Sequence, residues 1–209
     1  MKKILAVAAL AAASVSASAA TNLFVDGSFE SITQSAGTWN TYHAVPGWTV
    51  TQAGSFLPSP HGLEIRNDVA GSAQDGHNFI ELDGYENDRI TQSFATTIGQ
   101  SYEVSFWYQN RAGVAPASEG FEAVVLSGGV SSASLVGNAA SDGWLQEKIY
   151  FTAGSNFTTF TVAAAGASDS LGTSFDNFTA LAVPEPATMG LFAAGLAIIG
   201  LSARRRRRN

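Results

Sequence analysis

Between Ser101 and Asn110, Tyr102, Val104, Phe106 and Tyr108 alternate with Glu103, Ser105, Trp107 and Gln109. A period of two is that of an extended strand with one face turned to a core. Shorter runs rich in β-branched and aromatic residues surround it. They predict strands at 23–26, 48–52, 63–66, 79–83, 90–95, 121–126, 144–152, 157–164 and 174–181. Glycines punctuate them, among them Gly47, Gly62, Gly84, Gly99, Gly113, Gly128-Gly129 and Gly154. No window before the C-terminal tail sustains the 3.6-residue period of an amphipathic helix, and no internal repeat or charged linker interrupts 21–182. The expectation is one all-β domain, a sandwich built from short strands.

Charge sets limits on partners. Lys2, Lys3 and Arg204 to Arg208 hold seven of the 11 basic residues, and only Glu185 of the 17 acidic residues lies outside 21–182. That segment therefore carries 16 acidic against 4 basic groups, a net charge of −12 against −6 for the whole chain. Such a surface repels phosphate backbones, so no nucleic-acid partner is expected. With no cysteine, disulfides, thiolate chemistry and Cys-based metal sites are excluded. His43, His61 and His77 form neither HxH nor HExxH, and no GxSxG elbow is present.

The two ends read differently from the middle. Met1-Lys-Lys, the apolar run Ile4 to Ala13 and the small residues Ala17-Ser-Ala19 predict a signal peptide over 1–20, handled by signal peptidase on the general secretion route. Val183-Pro-Glu-Pro186 is followed by Ala187 to Ala203, seventeen residues without a charge, and then by five arginines. As a helix that run spans roughly 26 Å, which predicts a transmembrane segment slightly shorter than a hydrocarbon core. The arginines keep their end cytoplasmic by the positive-inside rule, leaving 20–186 on the far side of the inner membrane.

The order of these three parts resembles the PEP-CTERM sorting signal of Gram-negative bacteria, here over 183–209. The resemblance implies recognition of Val183, Pro184, Glu185 and Pro186 by an exosortase, a membrane cysteine protease–transpeptidase. It further implies release to the cell surface or extracellular matrix, in a setting of exopolysaccharide and biofilm.

A second resemblance covers the middle. Asn22-Leu-Phe-Val-Asp-Gly-Ser-Phe-Glu30, Pro46-Gly-Trp48, Asp75-Gly-His-Asn-Phe-Ile-Glu-Leu-Asp83 and Phe175-Asp-Asn-Phe-Thr-Ala-Leu181 are similar to galactose-binding-like jelly rolls, including DUF642-type domains. It implies a jelly-roll β-sandwich and a structural Ca2+ ion held by Glu30 and Asp176 with backbone carbonyls. The hard, oxygen-only donor set suits calcium. The alternative is that both carboxylates accept backbone N–H bonds with no metal. Asp176 shares parity with Phe178 and Ala180, which predicts that it points towards the interior.

Sugars are held by stacking on Trp or Tyr, with amide, carboxylate and Arg groups serving the hydroxyls. Trp107 faces away from the core set of its strand, and Trp144, Gln146, Lys148 and Tyr150 share one parity. Trp107, Trp144, Tyr150, Arg111 and Asn110 are the candidate ligand-binding residues, with Trp39, Tyr42 and Tyr85 as further loop aromatics; Trp48 or Trp107 as core residues is the alternative. Glu81 and Asp83 fall on one face, but same-strand neighbours poorly suit the separated carboxylates of glycoside hydrolysis, and a polar face or turn-holding bonds fit better. The expected function is a non-catalytic, extracellular-polysaccharide-binding or matrix-organising module. A purely structural surface protein is the alternative, and a glycoside hydrolase the remote one.

Overall fold

A computed structural model describes residues 21–183 except Phe56 and 139–142, together with Gly195, and gives the backbone alone for 132–138. The expected signal peptide, the Pro184–Pro186 tripeptide, and the apolar run and arginines beyond it (Gly195 aside) lie outside the described residues. No helix among the described residues is long and apolar enough to cross a membrane.

Eleven strands follow in order among the described residues: β1 Thr38–Tyr42, β2 Thr49–Gln52, β3 Leu63–Asn67, β4 Phe79–Glu81, β5 Asp88–Ala95 and β6 Ser101–Gln109. After a single 3-10 turn at Pro116–Ser118 come β7 Gly120–Ser127, β8 Val130–Asn138, β9 Leu145–Thr152, β10 Phe157–Ala164 and β11 Ser174–Ala182. They form two sheets, β1-β3-β4-β11-β6-β9 and β2-β5-β10-β7-β8. The named strand pairs are antiparallel. This is the expected all-β jelly-roll-like sandwich.

The alternation read in the sequence becomes the division between core and surface. Tyr102, Val104 and Phe106 of β6, Ile149 and Phe151 of β9, Phe121, Ala123 and Val125 of β7, and Phe160 and Val162 of β10 are buried between the sheets. Phe106 lies 5.5 to 6.1 Å, centroid to centroid, from Phe121, Phe160, Phe175 and Phe178. Rings at that spacing add edge and offset contacts to their area burial. Trp48 belongs to this core, 5.4 Å from Phe24 and 5.2 Å from Phe178.

Two local expectations are corrected. Residues 23–26 are not a strand: Asp26 and Phe29 take φ of 51° and 59°, and left-handed residues cannot continue a ladder. The segment is fixed by other bonds, Leu23 N–H to Ala180 O and Phe178 N–H to Gly27 O, both 2.9 Å. A Cβ on Gly27 would fall 2.1 Å from the Phe178 oxygen, so only glycine allows that approach. Asp176 is fully buried, as expected, but against the Gln74 and Asp75 backbone rather than in the apolar core between the sheets. The β11–β6 register shifts between Asp176 and Thr179, where Asn177 has φ of 49°. An extra residue in one strand reverses the parity, so Phe175 and Phe178 both face inwards while Asp176 sits on the outer face of the six-stranded sheet.

Candidate functional site

That outer face holds most of the sequence's candidates. Cross-strand register sets Trp39 opposite Arg66 and Arg66 opposite Phe79. On the far side of β11, Asp176 lies opposite Trp107, and Trp107 opposite Gln146. A parallel row runs Thr41, Glu64, Glu81, Ser174 and Gln109.

Where the two rows meet at β1, β3 and β4, a cleft of about 280 Å3 opens, lined by Trp39, Glu64, Arg66, Tyr85, Arg111 and Ser170, with Val69 and Gly84. Its floor is charged and buried. Arg66, 2% exposed, reaches Glu64 through Nε and Glu81 through Nη2, each at 2.5 Å. Arg111, from the loop after β6, stands 3.5 Å from Glu81 and donates to the Ser170 carbonyl at 3.4 Å. Burial pushes the Glu81 carboxyl up to about 8; Arg66 opposes this, Glu64 adds to it, and the Gly172 N–H and Arg111 oppose it. Arg66 Nη1 has no hydrogen-bond partner among the described residues. An orphaned buried donor costs roughly 1–3 kcal/mol and marks a place for a water or ligand oxygen. The walls are aromatic: Trp39 is 48% and Tyr85 50% exposed. Tyr85 is held by stacking on His61 at 4.4 Å, and His61 Nδ1 lies 2.8 Å from Glu86.

The candidates divide over this geometry. Arg111 lines the cleft. Trp107, Trp144 and Tyr150 share its sheet face but lie outside it. Trp144 is pinned by donating its indole N–H to Ser72 O at 3.0 Å and by an edge contact to Phe79. Tyr150, at the β9 edge, bonds to Glu103, which Lys148 also meets at 2.9 Å. Asn110 Oδ1 is buried without a partner among the described residues. Asp83 is a loop anchor, accepting from Asp169 N–H at 2.9 Å and Leu171 N–H at 3.4 Å. The sequence left Glu64 and Arg66 unremarked, although two charges at i and i+2 opposite Leu63 and Ile65 were the available signal.

Glu30 and Asp176 converge on one turn. Glu30 Oε1 accepts from His77 and Asn78 N–H at 2.8 and 2.7 Å. Asp176 Oδ2 accepts from Gln74 and Asp75 N–H at 2.7 and 2.9 Å, and Oδ1 from Asn177 N–H at 2.6 Å. Burial pushes the Asp176 carboxyl up to about 7, against those three bonds. These N–H bonds reach Glu30 Oε1 and both Asp176 oxygens; a calcium ion would need further oxygens converging on the same point. No group of three or more His, Asp or Glu suited to a metal occurs among the described residues.

The fold defines a jelly-roll-like β-sandwich domain, and solved structures carry the same architecture. A cyclase from Fischerella sp. TAU, solved with (3Z)-3-(1-methyl-2-pyrrolidinylidene)-3H-indole, is 15% identical over 80% of this chain and 100% of its own, with a TM-score of 0.63. A family 16 carbohydrate-binding module is 18% identical over 77% of this chain and 99% of its own, at 0.50. An arabinose-bound α-L-arabinofuranosidase is 12% identical over 77% of this chain and 26% of its own, at 0.52. Comparison with curated proteins found no match. Residues 182–207 match the PEP-CTERM protein-sorting motif, so the chain carries an exosortase-associated sorting signal.

Proposed function

We propose that this is an exported, exosortase-sorted envelope or matrix protein whose sandwich binds polysaccharide, without catalysis, in the Trp39–Tyr85–Arg111 cleft. The carrying observation is two half-exposed aromatic rings flanking a buried Glu64–Arg66–Glu81 floor. Ring faces suit the C–H face of a sugar, and Arg111 and the Ser170 carbonyl suit its hydroxyls. The volume, near the low end of small-ligand sites at about 300 Å3, favours a chain end over a long segment. The Glu81 side chain has no exposed surface and Glu64 and Glu81 meet the same buried guanidinium, which supports the non-catalytic reading. In this reading the Glu30 and Asp176 carboxylates hold the 74–78 turn through N–H bonds, and a structural calcium ion at the two is the alternative, tested by chelation.

The test is calorimetric titration with extracellular polysaccharide purified from the producing bacterium. Trp39→Ala or Tyr85→Ala is expected to weaken binding at least about tenfold, roughly 1.4 kcal/mol, with the circular dichroism spectrum unchanged. Unchanged affinity in the double variant overturns the cleft. Loss confined to Trp144→Ala moves the site along the sheet. No binding by the wild-type chain favours a purely structural role.

A further inference from the structure

The cleft leaves unexplained a second surface, at the end of the sandwich from which the chain leaves towards its sorting signal. Three connections meet there: the β5–β6 loop, the β7–β8 hairpin and the β9–β10 loop. Backbone bonds tie the two loops, Thr96 N–H to Asn156 O, Gly99 N–H to Ala153 O and Ala153 N–H to Gln100 O, at 2.8 to 3.0 Å. Gly154 N–H donates to Ser127 Oγ at 3.0 Å, which adds the hairpin. The last described residue of the domain is fixed to the same rim: Val183 N–H donates to Ser101 O at 2.9 Å and Gln100 Nε2 to Val183 O at 2.6 Å.

This rim is free of charge and carries three exposed apolar side chains. Ile98, Val130 and Phe157 are 62%, 69% and 68% exposed, one on each of its three connections or at its edge. Residues 93–102, 123–131, 151–164 and 177–183 contain no Asp, Glu, Lys or Arg, in a domain that carries 16 acidic groups. Exposed apolar side chains gathered at one end mark a contact surface. The chain itself says what lies opposite. Only Pro184, Glu185 and Pro186 separate Val183 from the uncharged run at Ala187, and four fully extended residues reach about 14 Å. Whatever surface that run enters is held within this distance of the rim.

We infer that the rim rests on the lipid surface of the membrane entered by 187–203, with Ile98, Val130 and Phe157 dipping into the headgroup region. The inference rests on the reading of that run as a membrane span. A charge-free end lets an acidic domain lie against anionic lipid without repulsion, and apolar side chains gain from the headgroup–acyl boundary. Docking would hold the sorting tripeptide at the membrane surface, where an enzyme embedded in the bilayer works.

The chain has no native cysteine, so single labels are specific. The full chain carrying Ile98→Cys, Val130→Cys or Phe157→Cys, each labelled with the fluorophore NBD, is reconstituted into vesicles of phosphatidylethanolamine and phosphatidylglycerol. Leu57→Cys, exposed at the opposite end after β2, is the control. Flotation after an alkaline wash reports the span; quenching by spin-labelled lipid headgroups reports docking. The expected result is flotation of all four, with about a twofold loss of fluorescence at the three rim positions and little at Leu57, as for side chains inserted roughly 5–10 Å. A chain that floats with rim quenching no greater than the control overturns the docking alone. Failure to float overturns the span and the docking with it. Rim labels shielded from aqueous iodide but not quenched by lipid assign the surface to a protein partner and overturn the proposal.

Discussion

Asp88 is a buried carboxyl with too few partners. Its Oδ2 lies 3.2 Å from Ser59 Oγ, and Oδ1 has no hydrogen-bond partner among the described residues. Burial pushes it up to about 7; the Ser59 bond opposes this, Glu86 and Asp83 add to it, and His61 opposes it. A carboxyl whose folded pKa exceeds its unfolded value binds its proton more tightly in the folded state. Its contribution to stability is therefore full below about pH 4 and lost as the pH rises through about 7. Asp88→Asn keeps the shape and removes the titration. It is expected to raise stability by about 2 kcal/mol at pH 8, below the full linkage value for such a shift, and to change little at pH 4. Thermal melts at the two pH values check this, and an equal change at both would count against the linkage.

At the scale of elements, the strands that read clearly were those whose one face builds the core. β6 buries Tyr102, Val104 and Phe106, β9 Ile149 and Phe151, and β10 Phe160 and Val162, each set spaced by two, and the sequence shows that period directly. β1, with Trp39 and Tyr42 among exposed polar residues, and β8, rich in serine and small residues, display no such period and were missed. Asp176 was misplaced because parity cannot reveal a bulge; only the left-handed Asn177 does. The cleft was half legible. Arg111 was singled out and Trp39 and Tyr85 were noted, but the Glu64–Arg66–Glu81 floor arises from the cross-strand register of β3 and β4, which side-chain parity along one strand does not reveal. The turn at 74–78 is a further product of long-range pairing. Gly76 lies in it with φ of 72°, and a Cβ there would come 2.5 Å from the Glu30 carboxyl oxygen. Four N–H bonds from the turn to Glu30 and Asp176 make it self-sufficient, so melting curves in excess calcium and in EDTA are expected to coincide. Asp176→Asn, which replaces an accepting oxygen by an NH2 group, is expected to cost about 1–3 kcal/mol in either medium. A melting temperature that falls on chelation, with the fall abolished by Asp176→Asn, would instead establish the calcium site.

Across the whole molecule, the sheet decides where the sorting signal begins. β11 lies inside the six-stranded sheet between β4 and β6, and its pairing with β6 continues to Ala182 opposite Tyr102. Val183 is held on both its N–H and its carbonyl. A processing enzyme needs an extended, unpaired backbone, so residues up to Val183 are unavailable to it while the domain is folded. Pro184 and Pro186 favour extended backbone just beyond the sheet's last bond and have no N–H to join it. Mature protein recovered from a host with an active exosortase is therefore expected to retain Val183 and lack the arginine block, as read by mass spectrometry of the intact chain. Glu185→Ala is expected to leave uncut precursor in the inner membrane, with an unchanged melting temperature because the glutamate lies beyond the last sheet bond. Mature ends upstream of Val183 would mean that the end of β11 unpairs for processing, and an intact arginine block in wild-type protein would remove the sorting assignment.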